Sequence, residues 1–364
     1  MPSREPLEAI VLVGGQGTRL RPLTLSAPKP LLPTAGVPFL SHLLTRAADS
    51  GVTHLVLATC YKAEMFREVL GDGERFGLEI SYISEDEPLD TGGGIRNAAQ
   101  ALRGTAPADP IVVMNCDILS GHDMSAQIDM HVKTDAAVTL HLVEVPDPAR
   151  FGCVTTDQAE RVTAFLEKTP NPPTNRINAG CYVFRRDVIA QIPAGRRVSV
   201  ERETFPGLIA SGQKVMAYPE SAYWLDVGTP QAFVKGSCDL VLGKLPAPAV
   251  PPHASPERLP LEGAIVHNAA TVTGGTTLGR GVRVGASAEV TGSVLFDGAE
   301  VGEGAVVRGS ILGVGARVEA GAVVDEAVVG DGVVIGAGNE LAKGIRVWPG
   351  VTLGPTSVRF SSDV

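Results

Sequence analysis

The chain has 364 residues, a formal net charge of −9, and 44% hydrophobic against 20% charged residues. That length exceeds one compact core of usual size and predicts two domains. The acidic balance excludes a general nucleic-acid binder, which needs clustered basic surface. Cys60, Cys116, Cys153, Cys181 and Cys238 form no C-x-x-C pair and no zinc spacing, so reduced, mostly buried thiols are expected. Met1 to Glu8 lacks the basic-then-apolar order of a signal peptide and no apolar run reaches membrane length, which reads as a cytoplasmic protein.

The first expected strand, Ile10 to Val13, runs straight into Gly14-Gly15-Gln16-Gly17-Thr18-Arg19-Leu20-Arg21-Pro22-Leu23-Thr24, with Pro28-Lys29-Pro30 close behind. Glycines leave backbone N–H groups open to anionic oxygens, and Arg19 and Lys29 can neutralise charge that amide dipoles cannot, so a phosphate is expected here. Two common phosphate loops are excluded: Thr18 stands where one needs Lys, and Leu20 where the other needs its third Gly. Further β-rich runs at Leu55 to Ala58, Ile80 to Ile83 and Ile111 to Met114 alternate with helical stretches near 38–49, 62–70 and 93–103. The alternation predicts a doubly wound, mostly parallel, Rossmann-like α/β sheet with ligands at the strand ends. Residues 136–243 add strands without a clear new start, giving one domain over 1–243.

Two carboxylates stand at the ends of apolar stretches. Asp117 closes Ile111 to Cys116, and Asp226 ends Tyr223-Trp224-Leu225 before Gly228-Thr229-Pro230. Each alone fits a helix cap or turn, yet two such oxygens beside a phosphate loop suit a hard cation. The seven histidines are dispersed, and a lone His122 or His141 reads as a satisfied surface or core group with no chemistry.

Six prolines between Pro246 and Pro260 mark a semi-rigid linker over 244–261. Beyond it aliphatics recur every six residues: Val266, Val272, Leu278, Val284, Val290 and Phe296, then, after a step of five, Val301 and onward to Leu353. This period, rich in glycine, predicts a hexapeptide-repeat parallel β-helix of about five coils over 262–355, followed by a tail at 356–364. His267 is the only histidine within the coils, so they show no internal catalytic dyad and scarcely supply the competent His that a coenzyme A-dependent acyltransferase needs.

The loop from Gly14 to Thr24, the two Asp segments, Phe165-Leu166-Glu167-Lys168-Thr169-Pro170, Phe151-Gly152 and Asn178-Ala179-Gly180-Cys181-Tyr182 together resemble the sugar-nucleotide pyrophosphorylase family of nucleotidyltransferases. The opening Leu12-Val13-Gly14-Gly15 and Ser199 to Pro206 are similar to its guanylyltransferase branch acting on mannose 1-phosphate, across nearly the whole chain. The resemblance implies transfer of GMP from GTP to mannose 1-phosphate, Mg2+ held by Asp117 and Asp226, and catalytic cations Arg19, Lys29 and Lys168. It implies nucleotide contacts at Gly14, Gly15, Gly17, Thr18, Arg19, Glu85, Pro88 and Thr91, and sugar-phosphate contacts at Gly152, Glu167, Lys168 and Asn178. It further implies a left-handed β-helix that serves assembly or regulation, and the open-ended solenoid predicts a homo-oligomer through that domain. Within Glu85 to Gly93, a carboxylate at Glu85 can accept from guanine's two adjacent donors, whereas uracil or thymine offers one. Asp90, Cys116 and Thr169 depart from the family pattern. Uridylyl or thymidylyl transfer to glucose 1-phosphate, and a non-catalytic nucleotide-sugar sensor, remain as alternatives.

Overall fold

The computed structural model describes residues 6–60, 62–85 and 87–359, so the end of the expected tail lies outside the described residues. Contacts divide the chain into two compact units: one runs to Gly15 and then covers Leu43–Trp224, the other joins Gln16–His42 to Leu225 onward.

The first unit is built on β1 (Leu7–Leu12), β2 (Val52–Thr59), β3 (Glu79–Ser84), β4 (Pro110–Asn115), β5 (Val138–Glu144), β6 (Gly152–Thr156), β7 (Val162–Glu167), β8 (Arg176–Arg185) and β9 (Val215–Pro219). Helices α1 (Phe39–Asp49), α2 (Ala63–Leu70), α3 (Asp90–Ala98), α4 (Met124–Thr134), α5 (Arg186–Gln191) and α6 (Phe205–Ala210) fall between them. The sheet order is β7-β6-β8-β4-β1-β2-β3, with β5 beside β8 and β9 beside β5. As expected, β4, β1, β2 and β3 are parallel neighbours, because each returns through a helical crossover. Past β4 the sense becomes mixed, since β8 runs antiparallel to β4, β5 and β6.

The central strands are continuous apolar runs because both faces are covered: Ile10, Val56 and Val113 are fully buried. Tyr182, Phe165 and Phe184 pack around Phe205, with ring centroids 5.2, 5.3 and 6.0 Å away. Helix α3 begins at Asp90, ahead of the expected 93, although three glycines follow. Helix propensity disfavours that start. It is held instead by the Val198 carbonyl, which accepts from Gly92 and Gly93 N–H at 2.7 and 3.2 Å.

At the amino edge of the sheet the buried Glu8 carboxylate accepts from Arg103 and Gly104 N–H at 2.8 and 2.9 Å, and meets His54 and Arg186 at 2.7 and 2.5 Å. Burial pushes its pKa up, but these donors outweigh that and hold it at about 2. Under β5, the expected core histidines His122 and His141 stack at 3.9 Å beside Arg46. Only His122 is satisfied as expected, by Ser120 and Gln127. Neither ring nitrogen of His141 has a hydrogen-bond partner among the described residues.

The second unit carries α7 (Pro230–Val241), capped at its start by Thr229, whose Oγ1 accepts from Ala232 N–H at 3.2 Å. Short parallel strands then stack in three sheets of six, six and five strands, five full coils and part of a sixth, consistent with a left-handed β-helix. The first strand, Arg258–Pro260, starts inside the segment the sequence assigned to the linker. Core positions follow the expected spacing with one correction: Leu295, not Phe296, lines the coil interior. Phe296 turns outward because the Phe233 ring of α7 receives it edge-on, 6.5 Å between centroids. The five cysteines are free, and all but Cys60 are buried. Among the described residues no helix is long and apolar enough to cross a membrane.

Burial holds the pKa values of His122, His131 and His141 down at about 3, 4 and 2, with Arg46 or Arg185 adding to it. These groups are neutral in the fold and protonate on unfolding below about 6.5, so their contribution is complete above that pH and is lost as pH falls toward the folded values. Glu8 adds a second loss from about 4.5 down to about 2. Thermal unfolding followed by circular dichroism from pH 8 to 4 should therefore show the midpoint dropping most steeply below pH 6.5. Replacing His141→Phe should flatten that limb, and an unchanged slope would contradict the assignment.

Candidate active site

The register of the parallel strands levels their carboxyl ends. Leu12 lies between Ala58 and Asn115, and Thr59 is opposite Ser84. Three main-chain bonds extend this edge: Val13 N–H to the Ala58 carbonyl (3.0 Å), Cys116 N–H to Leu12 (3.3 Å) and Glu85 N–H to Thr59 (2.9 Å). Asp117, Gly14, Cys60 and Glu85 consequently leave the sheet along one line, with Gly14 and Gly15 exposed and Asp117 half-buried.

Glu85 is fixed at the start of α3. Its Oε2 accepts from Leu89 N–H at 2.9 Å, and Oε1 lies 2.8 Å from where a Cβ on Gly94 would stand. Burial raises its pKa and the Leu89 bond lowers it, with burial dominant. Pro88 is exposed in the bend before the helix. The Thr91 hydroxyl is tied to the 199–201 turn: it donates to Glu201 at 2.8 Å and accepts from Val200 N–H at 2.9 Å. Asp90, one of the departures, has φ +62°, the left-handed conformation that suits glycine, and its Oδ1 accepts from Thr91 N–H at 2.8 Å.

Gly152, Glu167, Lys168 and Asn178 gather on the neighbouring antiparallel strands. A Cβ on Gly152 would lie 2.7 Å from the Phe165 ring and 2.9 Å from Glu167 Oε2, so only glycine lets this carboxylate sit against the β6 backbone. Lys168 is left-handed (φ +50°), exposed, and 3.3 Å from Glu167 Oε1. Asn178 is oriented by its neighbours: Oδ1 accepts from Gly180 N–H at 3.1 Å and Nδ2 donates to the buried Tyr182 hydroxyl at 2.8 Å. Sequence reasoning missed Tyr182 and Glu201 as supports of this cluster. The only advance sign of either was its place in a quoted motif.

The second unit holds the other candidates. Gly17 is left-handed (φ +61°), its carbonyl accepts from Thr24 Oγ1 at 3.0 Å, and a Cβ there would strike Thr24 and come within 3.1 Å of Lys29 Cβ. The turn thus folds back onto Lys29, which is buried, while Thr18 and Arg19 are exposed. A Cβ on Gly228 would lie 2.8 Å from Arg19 Nη2 and 2.9 Å from Asp226 Oδ1, so the arginine and the aspartate flank one glycine. Asp117 and Asp226 fall in different units.

A glycine-rich exit from a parallel sheet with carboxylates on the same edge defines a nucleotide-handling α/β protein. Residues 8–241 match the family model of the nucleotidyl transferases, and residues 257–355 that of the GMPPB C-terminal domain. The chain belongs to the nucleotidyl transferase family. It is 55% identical over 359 residues, 98% of this chain and 99% of the relative, to a mannose-1-phosphate guanylyltransferase of Mycobacterium tuberculosis. Against the mannose-1-phosphate guanylyltransferase catalytic subunit beta of Drosophila pseudoobscura pseudoobscura it is 36% identical over 231 residues, 63% of this chain and 61% of that one. Among solved structures, HddC from Yersinia pseudotuberculosis complexed with GMP-PN matches with a TM-score of 0.54 and 28% identity, covering 64% of this chain and 98% of that chain.

Adding one methyl at Gly228 tests the arrangement around Arg19. The atoms it strikes are the ends of two side chains, Arg19 and Asp226, so the fold should tolerate Gly228→Ala while both are displaced. Nucleotidyl transfer, read as pyrophosphate release, should fall at least tenfold with an unfolding midpoint within a few degrees of the parent. Full activity would remove Arg19 from the site.

Proposed function

We propose that the protein transfers GMP from GTP to mannose 1-phosphate, forming GDP-mannose and pyrophosphate. The observation that carries this reading is the 55% identity to a protein of that named activity over nearly the full length of both chains. Within the first unit, the sheet edge shared by Asp117, Gly14 and Glu85 supports it. GTP lies along Gly14 to Arg19 with its base toward Glu85 and its phosphates near Arg19 and Lys29. One oxygen of Glu85 is used by Leu89 N–H, but a carboxylate has about four acceptor positions, enough for the N1–H and exocyclic amine of guanine as well.

Mannose 1-phosphate enters against Gly152, Glu167 and Asn178. Its phosphate oxygen is already anionic and needs no general base. It forms a bond to the α-phosphorus in line as the bond to pyrophosphate breaks, with no covalent enzyme intermediate. Catalysis is positioning and charge neutralisation. Lys168 steadies the incoming phosphate, and Arg19 with Lys29 offsets charge on the leaving group.

The two carboxylates fit a divalent cation, since Mg2+ is typically held by one or two carboxylates with substrate phosphates completing its shell. Among the described residues no group of three or more His, Cys, Asp or Glu is gathered for a metal, which suits an ion shared with substrate. Asp117 and Asp226 would hold it, and when bound it would neutralise charge on the reacting phosphates.

The deciding assay combines purified protein and Mg2+ with each nucleoside triphosphate and each hexose 1-phosphate and measures pyrophosphate release. GTP with mannose 1-phosphate should be the preferred pair, and preference for UTP or dTTP with glucose 1-phosphate would overturn the reading. Asp117→Asn and Asp226→Asn should each lower the Mg2+-dependent rate by about a hundredfold or more. In Glu85→Gln, selectivity for GTP over UTP should erode about tenfold, the worth of one charge-assisted hydrogen bond.

A further inference from the structure

One outer face of the β-helix is apolar where solvent would favour polar side chains. Strand pairing aligns Leu259, Thr277, Val294, Ile311, Val328 and Arg346 as successive rungs. Their neighbours Leu278, Leu295, Leu312, Val329 and Val347 point into the coil, so by alternation the rungs point out. Yet every rung from Leu259 to Val328 is buried, and only Arg346 is exposed.

The segment that carries the phosphate turn is fastened to both ends of this ladder. At the first rung Gly36 packs so closely that a Cβ would lie 3.3 Å from Leu259 Cδ2 and 3.0 Å from Leu261 Cδ2. At the second, Ala35 N–H donates to Ser237 Oγ of α7 at 2.9 Å, and that hydroxyl lies 3.3 Å from Thr277 Oγ1. At the last, Arg346 Nη1 donates to the Arg21 carbonyl at 2.9 Å. Residues 21–36 are therefore attached to rungs about 24 Å apart at ordinary strand spacing. Lys29 lies between the Ala35–Gly36 and Arg21 attachments, and Gly17, Thr18 and Arg19 lie immediately outside Arg21. Other outward arginines behave differently: Arg308 and Arg317 pair with Glu289 and Glu300 on neighbouring coils at 3.1 and 3.6 Å. Arg346 instead spends a charged donor on main chain 325 residues away.

We infer that this ladder is the platform that holds the phosphate turn and that Arg346 is a positioning residue for the nucleotide, acting through the Arg21 carbonyl and not by touching substrate. The inference rests on the proposed use of the turn by the triphosphate. It requires that losing Arg346 loosen residues 14–25 and weaken GTP while sparing the sugar phosphate, whose contacts lie on other strands.

Full-length Arg346→Ala, Arg346→Lys and, as a control on another face, Arg308→Ala would be compared with the parent. Hydrogen exchange of the peptide covering residues 14–25, in the absence of ligands, should be faster in Arg346→Ala, unchanged in Arg308→Ala and largely restored in Arg346→Lys. The KM for GTP should rise about three- to tenfold in Arg346→Ala, with the KM for mannose 1-phosphate and the unfolding midpoint unchanged. Should Arg346→Ala fail to fold, Arg346→Gln takes its place. Unaltered exchange in the 14–25 peptide, or an equal rise in both KM values, would overturn the inference. A parent protein that releases no pyrophosphate from GTP and mannose 1-phosphate would instead overturn the proposed function, leaving the exchange measurement to decide the role of Arg346.

Discussion

Four parallel strands that stop level with one another set the geometry on which the site is built. Because Leu12 is flanked in register by Ala58 and Asn115, and Thr59 by Ser84, the chain exits at one edge in the order Asp117, Gly14, Cys60, Glu85. Neighbouring strands lie about 4.8 Å apart, so these exits span about 15 Å. Under the proposed function this order sets a carboxylate for a cation at one end, bare amides for phosphates next to it, and a base-reading acceptor at the far end. A register slip of one residue in β1 would move the glycines off the edge and turn its buried side chains to the opposite face. Register and site are thus specified by the same apolar residues, Ile10, Val56 and Val113 among them.

Around this edge the chain accepts backbone conformations and contacts that cost stability elsewhere. Asp90 and Lys168 are both left-handed, each costing about 1 kcal/mol or more relative to glycine. Asp90 recovers part of this through its own bond to Thr91 N–H, the local side-chain bonding that lets Asp occupy such positions. Cys116, by contrast, replaces the family's glycine without strain, since its φ is not positive. The three departures from the family pattern are therefore unequal. Cys116 keeps an ordinary φ, whereas Asp90 holds a carboxylate in the left-handed conformation at the start of α3.

Much of this was legible in the letters because it depends on local pattern. Apolar runs ending in Gly or Asp announced the strand ends, and a six-residue period with glycine corners announced the coils. Features that depend on partners distant in sequence were not legible. The start of α3 is fixed by the Val198 carbonyl more than a hundred residues away, while Asp90 to Gly94 by themselves argue for a loop. The choice between Leu295 and Phe296 as the core residue turned on the aromatic ring of α7, which no repeat pattern contains. Thr91 was read as a nucleotide contact from its motif, yet its hydroxyl is shared between Glu201 and Val200. His141, read as a satisfied group, stacks on His122 without a hydrogen-bond partner of its own among the described residues.

The segment from Gln16 to Pro38 poses a problem that its own sequence does not solve. Its glycines and prolines prevent a long helix, and apart from the two-residue pairing of Pro33–Thr34 with Val37–Pro38 it has only short 3-10 turns. Fixing its backbone costs about 1–2 kcal/mol per residue, which scattered turn hydrogen bonds cannot offset. The offset comes from side chains that a solvent-exposed loop would not carry: Leu20, Leu23, Leu31 and Leu32 are buried, and Lys29 buries its stem with them. A surface for such residues must be rigid and apolar on its outside, which ordinary sheet faces in contact with water are not. A β-helix meets the requirement because every strand is braced by the coils above and below. An outward apolar row can then be written into it without disturbing the inward one. The Arg346–Arg21 and Gly36–Leu259 contacts thereby tie the repeat domain to the glycine-rich segment with which it shares a compact unit.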